Sequence, residues 1–214
     1  MRRRILSTLA ALLFTFPAGV SAFELGVGPD VGWSVRQVAL VPSSGSQVDL
    51  FSHYVTFGVT GDAEVVDDLL SFRLRAALDM MEHMEINGVP QPGTFSQHSV
   101  TAESLMVFAF DFTDVIAGTI GTGASFTRYL PSEIRGSRPE DVQGVADQQV
   151  MQIPLMFGTR IKLDEVTLLP ELGLGYALYY DSTAPDVSNG LSDGSVDARN
   201  LDVWVRVGVS FPVL

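Results

Sequence analysis

The segment "LDVWVRVGVSFPV" is apolar at every odd position from Leu201 to Val213, while Asp202, Arg206 and Ser210 fall among the even ones. That is the period of a β-strand, whose successive side chains point to opposite faces. The period recurs along the chain. Phe23, Leu25, Val27, Val31, Trp33 and Val35 alternate with Glu24, Gly26, Gly28, Asp30, Gly32 and Ser34. "SFRLRAALDM" sets Phe72, Leu74, Ala76, Leu78 and Met80 against Ser71, Arg73, Arg75 and Asp79. In "IPLMFGTRIKL", Ile153, Leu155, Phe157, Ile161 and Leu163 oppose Gly158, Arg160 and Lys162. In "LLPELGLGYALYY", Leu168, Leu172, Leu174, Tyr176, Leu178 and Tyr180 oppose Glu171, Gly173, Gly175 and Ala177. Weaker alternation over 48–60, over 102–114 and in the Gly-rich "GTIGTGASFTRY" completes eight predicted strands. Residues Met80 to Met84 leave a short helix open, because "ALDMMEHMEI" has no turn residue before Asn87.

The gaps between strands carry a second signal. Those at 37–47, 84–101, 130–147 and 181–198 are long and polar, whereas those at 61–66, 115–117 and 164–167 are short, and the two kinds alternate strictly. An all-β, eight-stranded, antiparallel up-and-down transmembrane barrel has this layout, with both termini at the short-turn end.

Charges fall on the less apolar parity of the well-patterned strands: Glu24, Asp30, Arg73, Arg75, Asp79, Arg160, Lys162, Glu171, Asp202 and Arg206. In a membrane barrel they face the lumen and the apolar parity faces lipid. A soluble sandwich or barrel reverses the two faces and gives the same pattern strand by strand. Aromatic residues near strand ends favour lipid, because Phe23, Trp33, Phe57, Phe72, Phe112, Tyr180 and Phe211 are placed to form interfacial girdles.

The N-terminus agrees. "MRRRILSTLAALLFTFPAGVSA" has three arginines, an apolar run from Ile5 to Phe16, Pro17, and small residues at Val20 and Ala22. It is the pattern of a secretory signal peptide over 1–22, leaving a barrel domain over 23–214. The run is shorter than the roughly 20 residues of a membrane-spanning helix. Cleavage would take three positive charges from a chain of formal net charge −12, leaving −15, so nucleic acid is not an expected partner. With no cysteine, the exported chain has neither disulfides nor a thiol nucleophile.

Two stretches carry a family resemblance. "QIPLMFGTRIKLDEVTLLPELGLGYALYY" resembles the paired-strand signature of small outer-membrane β-barrel proteins, the eight-stranded outer membrane protein A/X-like barrels. The terminal "RVGVSFPV" is similar to their assembly signal, carried here by Arg206, Gly208, Phe211 and Val213. Members usually end on an aromatic residue, whereas this chain ends on Leu214 with Pro212 nearby. The resemblance implies the family's fold, a location in the outer membrane of a Gram-negative bacterium, and partners in outer-membrane lipid, lipopolysaccharide and the barrel-assembly machinery. The family is functionally heterogeneous, so no single activity follows, and no external loop partner is named.

The chemistry is sparse, and neither an enzyme activity, a cofactor nor a metal is expected. The histidines are His53, His83 and His98. Outer-membrane lipid A deacylases place a His and a Ser with one residue between them, but His98 and Ser99 are adjacent in a predicted loop. Asp181, Asp186, Asp193 and Asp197 supply calcium-type oxygens without a calcium-loop spacing, so the acidic loop reads as solvated. The loop "PSEIRGSRPEDVQG" suits a partner or solvent equally. The lumen is the remaining site. If the turn spans Asp164 to Thr167, Leu163 pairs with Leu168 and Arg160 stands opposite Glu171. Asp30 then approaches Arg206, and Asp111 balances Arg73 and Arg75, so that these residues plug the pore. The expected role is structural or interactive, a filled barrel displaying four long outer loops. The alternative is a narrow porin or conduit for small, apolar molecules.

Overall fold

The computed structural model describes residues 24–41, 48–66, 68–90, 98–130, 132–135, 142–145, 148–182 and 197–213. The signal-peptide reading and Phe23 lie outside these residues, as does the greater part of the acidic loop with Asp186 and Asp193. The eight long strands are β1 (Leu25–Val41), β2 (Val48–Val66), β3 (Leu70–Ile86), β4 (Ser99–Asp111), β5 (Ile116–Tyr129), β6 (Gln148–Leu163), β7 (Val166–Ser182) and β8 (Asp197–Pro212). Each pairs antiparallel with the next, and β1 pairs with β8, so the sheet closes into an up-and-down barrel with no free edge. Short additions sit at the long-loop end: Val89–Pro90 folds back on β3, and Ser132–Arg135 pairs with Val142–Val145.

Three tight turns and both described termini define the opposite end. Asp164 adopts φ 46° in a two-residue turn that pairs Val166 with Leu163. At Asp68, φ is 53° beside the bond from the Leu69 amide to the Val66 carbonyl. Between β4 and β5 the Thr113 hydroxyl accepts from the amides of Val115 and Ile116. The helix left open at Met80 to Met84 does not form. β3 runs extended to Ile86 and turns only at Asn87 and Gly88, both with positive φ.

The structure decides which parity faces inward. Leu74, Leu78, Met106, Phe108, Phe157, Leu172, Val203 and Val205 are exposed, while Asp30, Arg36, Arg73, Arg75, Asp79, Glu103, Glu171, Asp202 and Arg206 are buried. The girdle residues Trp33, Phe57, Phe112 and Phe211 are exposed and Phe72 is half-buried. A continuous apolar outer band around a polar interior is the inverse of a water-soluble protein and the arrangement a bilayer requires.

The lumen is packed with side chains. Leu105, Val107 and Met156 cluster at its centre with Trp204 against them. A Cβ on Gly173 would overlap the Trp204 ring and lie 2.8 Å from the Leu155 carbonyl oxygen. Gly173→Ala is therefore expected to lower stability by about 1–3 kcal/mol, the usual cost of overpacking. A urea midpoint unchanged from wild type would show that Trp204 has room to move.

Candidate functional site

Inward-facing polar residues form three tiers along the barrel axis. The tier nearest the long-loop end centres on Arg36 of β1. Its Nε donates to Asp202 at 2.9 Å, Nη2 to Asp79 at 2.8 Å and Nη1 to Ser99 at 2.8 Å. Asp79 also accepts from Thr101 at 2.6 Å and Ser99 at 3.0 Å, and Gln152 donates to Asp202. The guanidinium lies 4.4 Å from the Tyr54 ring centre and 5.4 Å from that of Tyr129. Tyr54, Tyr129, Met81 and Val150 close over this tier as an apolar cap.

The middle tier spans the whole lumen. Arg75 donates to Asp30 through Nε at 2.8 Å and Nη2 at 2.5 Å, and Thr60 donates to the same carboxylate. Gly58 makes room, because a Cβ there would lie 2.5 Å from an Asp30 oxygen. Glu171 bridges Arg73 and Arg206, accepting from Arg206 Nε at 2.6 Å. Arg206 also donates to Glu103 at 2.7 Å, and Arg73 to Asp62 at 2.5 Å. In a dry interior such charge-assisted bonds are strong only because each charge has a partner.

The third tier lies at the short-turn end, where Arg160 pairs with Glu64 and with Asp68 at 3.4 Å, and Lys162 donates to Asp68 at 2.7 Å. Asp68 sits in the turn, and the hydrogen bond from Lys162 holds its carboxyl below the usual carboxylate range.

Several expected contacts do not form. Arg160 does not stand opposite Glu171. The turn occupies two residues rather than four, so Leu168 pairs with Ile161, and Glu171 lies opposite Gly158 on one side and Arg206 on the other. The two-residue shift preserves parity, which keeps Arg160 inward but moves it toward the barrel end. Asp30 pairs with Arg75 rather than Arg206, because the β1–β8 register sets Asp30 against Gly208. Asp111 is exposed at the end of β4 and balances neither Arg73 nor Arg75, whose partners are Asp62, Glu171 and Asp30. Arg206 and Gly208 of the terminal motif face the lumen, while Phe211 and Val213 are exposed.

Sequence reasoning missed Arg36, Asp62, Glu64 and Glu103. The signal for Arg36 was present, since the inward parity of Asp30, Gly32 and Ser34 continues to it. Glu103 lies in a segment apolar on both faces, where alternation gives no inside. Ser99 faces inward and is engaged with Arg36 and Asp79. Side chains of Asp181, Asp197 and the 132–145 hairpin lie outside the described residues.

Among the described residues, two of the cavities in the lumen have no lining residue in common. One, of about 160 Å³, opens at the short-turn end beside Glu24, Glu64, Arg73 and Arg160. The other, of about 40 Å³, lies among Arg36, Arg75, Asp79 and Arg206. Leu105, Met156 and Glu171 are buried between them.

No family model and no curated protein matches the chain. Solved structures do. The chain is similar to the outer membrane protein OprG from Pseudomonas aeruginosa, with TM-score 0.58 and 15% identity, over 91% of this chain and 97% of that one. It is also similar to Neisserial surface protein A, with TM-score 0.50 and 11% identity, over 86% of this chain and 96% of that one. The fold is that of the small outer-membrane β-barrels. At these identities the likeness concerns the backbone alone, and the lumenal chemistry must be read from this chain's own side chains.

Proposed function

We propose that this protein is an integral outer-membrane barrel of a Gram-negative bacterium with a structural or interaction role, a plugged scaffold that holds four long connections outside the cell. The observation that carries this reading is the interruption of the lumen. Two separate cavities are divided by Leu105 and Met156, each 0% exposed, and by the Arg73–Glu171–Arg206 bridge. The exposed apolar band supports membrane residence, and the short-turn end that carries both described termini is assigned to the periplasm. No catalytic role is assigned, since Ser99, the hydroxyl beside His98 in sequence, serves the Arg36 tier instead. Outer-membrane lipid and lipopolysaccharide are the proposed surroundings, and the terminal motif from Arg206 to Val213 is the proposed address for the assembly machinery.

Planar-bilayer recording of the refolded chain tests the plug. The expected result is no discrete conductance for wild type. Reproducible unitary openings would overturn it and establish the conduit for small molecules. The absence of openings in wild type together with their appearance in Glu171→Ala/Leu105→Ala/Met156→Ala would place the barrier at the middle tier.

A further inference from the structure

His53 and His83 take no part in the lumen. Pairing between β2 and β3 slips beside them: His53 lies opposite His83, but its neighbour Tyr54 lies opposite Met81, which leaves Glu82 as an extra residue on β3. Up to that point the odd residues of β3 face inward, with Arg73, Arg75, Ala77, Asp79 and Met81 all buried. One inserted residue reverses parity beyond it, which is how a β-bulge re-aims side chains. His83 and Glu85 therefore join His53 on the outside of the barrel. The cluster stands just beyond the apolar band at Val55 and Met80, with the Trp33 ring 5.6 Å from that of His53.

The three side chains lie together. The imidazoles of His53 and His83 stack with centroids 4.0 Å apart and planes at 12°. Nε2 of His53 lies 3.8 Å from Glu85 Oε1, and Nε2 of His83 lies 3.7 Å from the same oxygen. These separations are too long for hydrogen bonds. His53 Nδ1 is buried without a hydrogen-bond partner, an unsatisfied polar atom beside the pair. One donor atom from each of the three residues falls within a common 4.8 Å.

We propose that His53, His83 and Glu85 form a binding site for a zinc-class divalent transition metal on the outer surface of the barrel. Two imidazole nitrogens and one carboxylate oxygen suit Zn²⁺, whereas Ca²⁺ and Mg²⁺ take oxygen ligands. A tetrahedral ion with bonds of about 2.0–2.1 Å sets its ligand atoms about 3.3–3.4 Å apart, so binding closes each His–Glu separation by a few tenths of an ångström and tilts the two nearly parallel rings until both nitrogens aim at the ion. His83 is exposed, which leaves the fourth position open to solvent. Bound metal would clamp β2 to β3 at the bulge, far from the turn that joins them. The site is independent of whether the barrel conducts.

The test uses the full chain refolded in detergent and stripped of metal with a chelator. Calorimetric titration with ZnCl₂ is expected to show a saturable site of about one ion per barrel, weakened at least about tenfold in His53→Gln, in His83→Gln and in Glu85→Gln. His98→Gln, the control histidine, should bind as wild type does, and MgCl₂ and CaCl₂ should not compete. Co²⁺ gives a second readout, a tetrahedral visible spectrum in wild type and His98→Gln that is lost in His53→Gln. A heat-modifiable gel shift reports that each variant has folded. Absence of saturable Zn²⁺ binding, binding retained in His53→Gln/His83→Gln, or loss in His98→Gln would each overturn the proposal.

Discussion

Arg36→Met is expected to destabilise the folded barrel by about 3–5 kcal/mol, because it removes the one guanidinium that serves both Asp79 and Asp202. Both carboxylates are buried and would be left to Thr101, Ser99 and Gln152, which donate hydrogen bonds but carry no charge. The lost stacking against Tyr54 adds to the cost without changing its sign. A buried ion pair is costly to halve and often cheap to replace entirely, so Arg36→Met/Asp79→Asn/Asp202→Asn should regain most of the loss. Urea unfolding in micelles, followed by tryptophan fluorescence and gel mobility, measures both. A single-variant cost below about 1 kcal/mol, or a triple variant no better than the single, would show that the tier does not act as a unit.

Leu174→Lys should cost about 2–4 kcal/mol when the protein is folded in lipid vesicles. Leu174 is 42% exposed in the middle of the apolar band, opposite the exposed Leu155 and Val203. In a water-soluble barrel a lysine at so exposed a site would change stability by no more than about 0.5 kcal/mol. The two readings of the outer face therefore predict different numbers for one substitution. A null effect of Leu174→Lys in vesicles would remove the lipid-facing assignment.

Period-two alternation and the spacing of turn residues make the strands and their order legible in the sequence, and closure follows because lipid leaves no room for an open edge. Where alternation fades, so does the reading. The β4 segment around "LMVFAFDF" hides Glu103 from any parity argument, and the Met80–Met84 stretch looks helical until the Asn87–Gly88 turn is seen to end a strand. The charged residues of the lumen were visible as a set, but their pairing was not. Parity repeats every two residues, so the two-residue slip at Asp164–Glu165 left Arg160 inward while exchanging its partner from Glu171 to Glu64.

By itself, then, the sequence determined the number of long strands, the alternation of long and short connections, and which residues share a face wherever no bulge intervenes. Only the tertiary structure decided which face is inside, since an alternating strand is symmetric between the two, and curvature of the closed sheet breaks that symmetry. It also decided every bond across the lumen. Arg36 and Asp202 are 166 positions apart, and Arg206 meets Glu103 through the barrel interior rather than along a hairpin. Such contacts depend on the register of all eight strands together, a quantity that no local pattern contains. The bulge at Glu82 is the same lesson in miniature: one unpaired residue, silent in the sequence, carries His83 and Glu85 out of the lumen and sets them beside His53.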